Sequence, residues 1–230
     1  MVKRDDPERW TQQRRQVLHG VAEAVAAKGW SATTIADIAA AARASRTTVY
    51  AHFPDKDQAL LALHHEVIDR LVDALMRAHR DAGPGTPWPV RIRATMDAYL
   101  EAMVTSSAGE RASLLELASA GPEARRARRD GLDRFAAAVA RNSVELAASG
   151  PDAEPLTPER ALAAVAAVNE LVQRAAPDGP DAIRALAPAA ADVFVRLMRR
   201  APAPAFPPGP TDPQAPRPDP TGSHPSPTQS

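Results

Sequence analysis

Apolar positions along this chain recur every three or four residues and do not alternate, so the pattern predicts helices throughout. From Thr11 to Lys28 the stripe is Val17, Leu18, Val21 and Val25, and Gly29 then stops it. Thr34, with Asp37 three residues on, has the spacing of a capping box and predicts a short helix through Ile35, Ile38 and Ala39, ending near Ala41. Ser45 can cap a third helix running to about Phe53, where Pro54 interrupts it. Asp55-Lys56-Asp57 opens a fourth, which carries Leu60, Leu61, Leu63, Val67, Ile68, Leu71 and Leu75.

Gly83-Pro84-Gly85-Thr86-Pro87 breaks the chain. A fifth helix fits Val90 to about Ser106, with Met96, Tyr99, Leu100 and Met103 on one side, and a sixth fits Arg111 to Ser119. A seventh begins at Pro122, a favourable first-turn proline, and extends to Ser149, with Leu132, Phe135, Val139, Val144 and Leu146 as its apolar residues. Residues 150–158 form a loop. The last two helices fit Pro158–Ala176 and Asp181–Arg200, and Pro188 should kink or break the second. From Ala201 onward there are eleven prolines, with Phe206 the one large apolar group, so residues 201–230 are expected to form a disordered tail. The predicted fold class is all-α, with about nine helices and no internal repeat.

Cysteine is absent, which excludes a disulfide framework, a thiolate nucleophile and a cysteine zinc site. No apolar run reaches a membrane span of about 18 residues, and the opening MVKRDDPERW has no signal-peptide core, so a cytoplasmic protein is expected. The formal net charge is zero. Up to Lys56, however, nine Lys and Arg (3, 4, 9, 14, 15, 28, 43, 46, 56) stand against six acids (5, 6, 8, 23, 37, 55). This small basic excess is compatible with nucleic acid but does not establish it.

The segment from Thr34 to Lys56 reads TIADIAAAARASRTTVYAHFPDK. Two such short helices need a third behind them, and the stripe of the first helix can pack on Ile35, Ile38, Ala44, Val49 and Phe53. That leaves Arg46, Thr47, Thr48 and Tyr50 facing outward. An arginine near a helix start can reach guanine O6 and N7 in bidentate fashion, and threonine methyls can touch the thymine methyl. His52 and Lys56 stand where they can meet phosphates. The plainer alternative is an alanine-rich helix pair that merely faces solvent.

Residues from Thr11 to about Leu71 resemble the DNA-binding domain of the TetR family of bacterial regulators. The resemblance rests on TTIADIA, on S-x-x-T-V-Y-x-H-F-x-D-K from Ser45 to Lys56, and on A-L-L at Ala59 to Leu61, with the spacing ungapped. It implies a three-helix domain over 11–71, with the helix-turn-helix at about 34–53, preceded by an arm over 1–10. It further implies that Thr34, Arg46, Thr47, Thr48, Tyr50, His52 and Lys56 contact DNA, Tyr50 and His52 mainly at the backbone. The family usually has glycine in the turn where this chain has Arg43. If that position still needs positive φ, Arg43 carries a strain of about 1 kcal/mol; alternatively the turn differs and Arg43 reaches a phosphate. Ala51 stands where many members carry an aromatic, which removes one phosphate contact.

The resemblance implies that residues 72–200 form a regulatory domain that binds a small molecule and dimerises through its last two helices. Leu162, Val165, Val168 and Leu171, with Ile183, Leu186, Ala190, Val193, Phe194 and Leu197, are apolar enough to suit a four-helix bundle between two copies, or simply to close the monomer core. Candidate residues for a mostly hydrophobic ligand pocket are Trp88, Met96, Tyr99, Met103, Leu117, Phe135, Val139, Asn169 and Val172, each of which also suits ordinary packing. Asn169 is the strongest candidate for orienting a ligand. His64 and His65 project about 100° apart on a helix and have no histidine partner four residues away, so no metal site is expected.

The expected function is a homodimeric, sequence-specific transcriptional repressor, released from a palindromic operator by a small hydrophobic effector and needing no cofactor. An activator of the same fold is the alternative. A helical carrier or enzyme is a further one, disfavoured because no nucleophile–base pair, phosphate-cradling glycine loop or metal cluster is legible.

Overall fold

The computed structural model describes residues 6–115 and 122–200, except for the side chain of Leu115. Leu117, the predicted end of the sixth helix, the first five residues and the proline-rich tail lie outside the described residues. Among the described residues the helices are α1 (Pro7–Lys28), α2 (Ile35–Ala41), α3 (Arg46–His52), α4 (Lys56–Asp81), α5 (Trp88–Thr105), α6 (Ala108–Leu115), α7 (Pro122–Ala148), α8 (Pro158–Ala175), α9 (Pro180–Arg184) and α10 (Ala187–Met198), with a 3-10 turn at Ala176–Asp178. No strand occurs among the described residues, and one antiparallel bridge joins Ala153 to Arg199.

Most boundaries follow from local chemistry. Thr34 accepts from the Asp37 amide at 3.2 Å while the Asp37 carboxylate accepts from the Thr34 amide at 3.0 Å, a closed capping box. Asp55 caps α4 by accepting from the Gln58 amide at 2.7 Å. Gly29 ends α1 at φ 71°, a left-handed conformation open to glycine without penalty.

Three boundaries differ from the periodicity. The first helix begins four residues early, at Pro7, because the Asp6 carboxylate accepts from the amides of Glu8 and Arg9, each at 3.1 Å, and proline suits the first turn. The sixth begins at Ala108 rather than Arg111, because Ser107 and Glu110 cap each other: the Glu110 amide donates to Ser107 Oγ at 3.2 Å and the Ser107 amide to Glu110 Oε2 at 2.7 Å. The last predicted helix is two, broken at Ala185–Leu186, and Pro188 sits in the first turn of α10, where its missing amide costs nothing.

The described residues, 6–115 and 122–200, form one compact unit. Val17, Val21 and Val25 of α1 are buried with Ile38, Val49 and Phe53, so α1–α3 share one small core. The long α4 leaves that core and packs along α5 and α7, joining the N-terminal helices to the bundle. α6 lies across α1, and their backbones nearly touch: a Cβ on Gly109 would fall 1.7 Å from the Ala22 carbonyl oxygen.

Candidate functional site

The N-terminal helices hold a small polar face in place from behind. Ser45 caps α3 by accepting from the Thr48 amide at 3.0 Å, and its hydroxyl lies 2.8 Å from that of Thr48. Val49 is fully buried and Phe53 nearly so, which fixes the roll of a helix only seven residues long. The opposite side carries Arg46 and Thr47, both exposed, Thr48, half-buried, and Tyr50. Tyr50 is 55% exposed, an unusual position for so large an apolar ring.

Arg43, in the turn between α2 and α3, has φ 49° and is the one non-glycine residue with positive φ among those described. The turn therefore keeps the left-handed conformation that glycine fits best, and the exposed Arg43 adopts it at a cost of about 1 kcal/mol. Thr34 is exposed at the N-terminus of α2, its hydroxyl donating to Asp37 at 2.7 Å. Lys28 binds the same Asp37 carboxylate at 2.6 Å, and chiefly for that reason the Asp37 pKa is lowered to about 2.

His52 and Lys56 are engaged within the protein. His52 packs against Trp10 with ring centroids 3.9 Å apart and planes tilted by 43°, and its Nε2 donates to Gln13 Oε1 at 3.1 Å. Burial, and then the charge of Arg14, lower its pKa, so the ring is neutral at physiological pH. The Lys56 ammonium lies 5.0 Å from the Trp30 ring centroid and donates to the carbonyls of Trp30, Ser31 and Thr33, at 3.3, 3.4 and 2.9 Å. It thereby ties the α1–α2 turn to the start of α4. Trp10, Gln13 and Arg14, whose guanidinium lies 5.2 Å from the Phe53 ring centroid, complete the support for α3. No spacing rule in the sequence links them to residues about forty positions away.

The bundle encloses a second site. A cavity of about 40 Å³ lies between α4, α5, α6, α7 and α8, lined by His64, Ile68 and Leu71, by Tyr99 and Met103, by Leu114, by Arg128, Gly131, Leu132 and Phe135, and by Val165 and Asn169. Four predicted pocket residues thus converge: Tyr99, Met103, Phe135 and Asn169. Tyr99 meets Phe135 edge-on at 5.3 Å, and burial raises its pKa to about 12. Met96 and Val139 instead line a separate cavity of about 30 Å³ with Phe194 and Met198 of α10. Trp88 is buried elsewhere, donating from Nε1 to Asp152 at 3.0 Å, and Val172 lies in the core of α8.

Two polar elements of the bundle were not anticipated from the sequence. His64 is 2% exposed, and neither ring nitrogen has a hydrogen-bond partner among the described residues. Burial, followed by the neighbouring charge of His65, lowers its pKa to about 4, against backbone groups of Ser113 and Ala127 that favour the protonated ring. α7 passes so close that a Cβ on Gly131 would fall 2.9 Å from His64 Nε2. The other element is Arg91, also 2% exposed. Its Nη2 lies 2.7 Å from His79 Nε2 and 3.1 Å from Glu145 Oε1, which pins α5 to α4 and α7. Burial lowers the His79 pKa against the pull of Glu145, so His79 serves as the neutral partner of a buried guanidinium.

No helix among the described residues is long and apolar enough to cross a membrane. No curated protein sequence matches the chain. Solved structures do. A bacterial regulatory protein in the tetR family from Rhodococcus RHA1 is 26% identical, with a TM-score of 0.62 over 83% of this chain and 99% of its own. The transcriptional regulator FadR from Bacillus subtilis, in complex with stearoyl-CoA, is 17% identical, with a TM-score of 0.64 over 80% and 99%. AibR, in complex with isovaleryl coenzyme A and operator DNA, is 19% identical, with a TM-score of 0.55 over 81% and 98%. The last two share the fold. Residues 17–63, which hold most of α1, all of α2 and α3 and the start of α4, match the family model described as bacterial regulatory proteins, tetR family. Over those residues the chain is similar to the tetR family of bacterial regulatory proteins, and its all-helical architecture is that of the solved regulators.

Proposed function

We propose that this protein is a homodimeric repressor that reads a palindromic operator with α3 and releases it on binding a small, largely hydrophobic molecule in the bundle. The observation that carries this is the division of α3 into two sides, with Val49 and Phe53 buried while Arg46, Thr47 and Tyr50 stand in solvent. An arginine at the helix start, a threonine and an exposed phenol offer hydrogen-bond donors and a methyl at the reach a major groove requires. Arg43 and Thr34 flank that side and suit phosphates, as does Thr48 at its edge. His52 and Lys56 contribute by holding the helix and add phosphate contact only as far as their internal bonds allow.

One reading helix spans too few base pairs for useful specificity, so two are needed. Leu162 on α8 is exposed, and Leu171, Leu186, Val193 and Leu197 are only half-buried within the protomer, which leaves an apolar strip for a second copy. Release of DNA needs a mechanical link from effector to reading helix. α6 supports that role: Leu114 lines the cavity, Gly109 rests on the α1 backbone at Ala22, and Glu110 binds Arg70 of α4 at 2.7 Å. A ligand that displaces Leu114 would therefore push on α1, with an effect on DNA bounded by its differential affinity for the two states. Acyl-CoA ligands of two structural neighbours fit an apolar effector site. Selection of bound duplexes from a random pool tests the reading. An enriched inverted repeat is expected, and a pool that stays random overturns the proposal.

A further inference from the structure

The cavity between α4, α5, α6, α7 and α8 is lined mostly by apolar residues. Its polar lining groups are His64 on α4, Arg128 on α7 and Asn169 on α8, with the Tyr99 hydroxyl on α5, and no Asp or Glu among the described residues lines it. A buried imidazole with both nitrogens unpartnered is a rare and costly arrangement, and one such group facing a cavity marks a place where a ligand atom supplies the missing bond. α7 passes close to the ring at Gly131, where a Cβ would fall 2.9 Å from His64 Nε2. Arg128, one turn earlier on α7 and half-buried, brings a fixed positive charge and a fork of donors to the same cavity.

We propose that this cavity takes a short-chain monocarboxylate, with its oxygens held by Arg128, the imidazole N–H of His64 and the Asn169 amide, and its carbon chain directed toward Met103 and Phe135. This rests on the reading above that the bundle holds the effector. One guanidinium with neutral donors balances one negative charge, which disfavours a phosphate dianion. A volume of about 40 Å³ holds roughly three water-sized groups, enough for a carboxylate and a short stub of chain. Longer chains require Met103, the most pliable lining residue, to change rotamer.

The test uses the full-length protein, titrated calorimetrically with butyrate and hexanoate, with 1-butanol and 1-hexanol as neutral matches, inorganic phosphate as a compact anion, and butyryl-CoA as the thioester of the same chain. The expected result is saturable binding of the acids, at least tenfold weaker for every other probe, and at least tenfold weaker for the acids in Arg128→Gln. In the wild-type protein, independently of any variant, histidine NMR should show the His64 ring signals move on adding butyrate. Equal binding of alcohols, exclusive binding of the thioester or of phosphate, acid binding that survives both Arg128→Gln and His64→Leu, or still His64 signals would each overturn the carboxylate assignment. So would no binding of any probe. None of these would touch the regulator reading, which stands or falls on the selected duplexes.

Discussion

The reading face and the effector cavity use polar side chains in opposite ways. On α2 and α3 every capping group is bonded within its own turn: Thr34 with Asp37, Ser45 with Thr48. The groups left over, Arg46, Thr47 and Tyr50, face water. In the bundle the order is reversed. His64 is already buried and has no hydrogen-bond partner among the described residues, so part of the desolvation cost of binding is met when the chain folds. On the proposed reading, a surface for a large polyanion stays wet and stable, whereas a site for a small molecule is prepared at the expense of stability.

The largest expected effect falls on what holds the reading face. Phe53→Ala removes a nearly buried ring from the α1–α3 core and should cost about 3–5 kcal/mol, seen as a lower denaturant midpoint and as lost DNA binding. A loss of DNA affinity with an unchanged midpoint would place Phe53 at the DNA instead.

The cavity's cost should appear as a pH dependence of similar size. The folded-state pKa of His64 is about 4 against an ordinary 6.5, so the unfolded chain takes up a proton that the folded chain refuses. The stability contributed by the neutral ring is complete above pH 6.5 and declines as pH falls toward 4, by on the order of 3 kcal/mol in all. His52 and His79 shift in the same direction, so the wild-type slope between pH 6.5 and 4.5 has three sources, and His64→Leu should flatten it. An unaltered slope in that variant would mean that His64 is hydrated or bonded and that the contrast between the two sites fails.

Arg46→Ala tests the hydrated side. Specific binding should weaken by about 1–3 kcal/mol and the preference relax at one base pair in each half-site, with the thermal midpoint unmoved. Unchanged preference in a repeated selection would remove Arg46 from base recognition.

The smallest effect is a gain. Arg43→Gly relieves a left-handed arginine and should stabilise the protein by up to about 1 kcal/mol, reduced by glycine's greater freedom when unfolded. If Arg43 also meets a phosphate, the same variant binds DNA more weakly with a shallower salt dependence. A destabilised Arg43→Gly would mean that the turn is held by contacts of the arginine side chain.

Much of the fold was legible because its signals are short-range. The caps of α2, α3 and α4 lie within three residues of what they cap, and Arg43 departs from the expected glycine at a position whose backbone is unchanged. The start of α6 was legible too, in the Ser107–Glu110 spacing, but the apolar stripe alone pointed to a later start. In the sequence His64 is only one of two adjacent histidines. Nothing within several residues of it announces burial against α7, since Gly131 and Arg128 lie more than sixty positions away. For the same reason Met96 and Val139 were grouped with Tyr99 and Phe135, although a separate cavity receives them.

By itself the sequence determined what depends on neighbours along the chain: an all-helical fold, its caps and breaks, and a short helix whose polar side chains have no apolar work to do. Packing of the helices sets which polar groups are withdrawn from water, turns Lys56 and His52 inward, rests α6 on α1, and brings an imidazole, a guanidinium and an amide from three helices to one cavity. Burial and electrostatic environment are sums over every element packed around a group, and no local pattern encodes that sum.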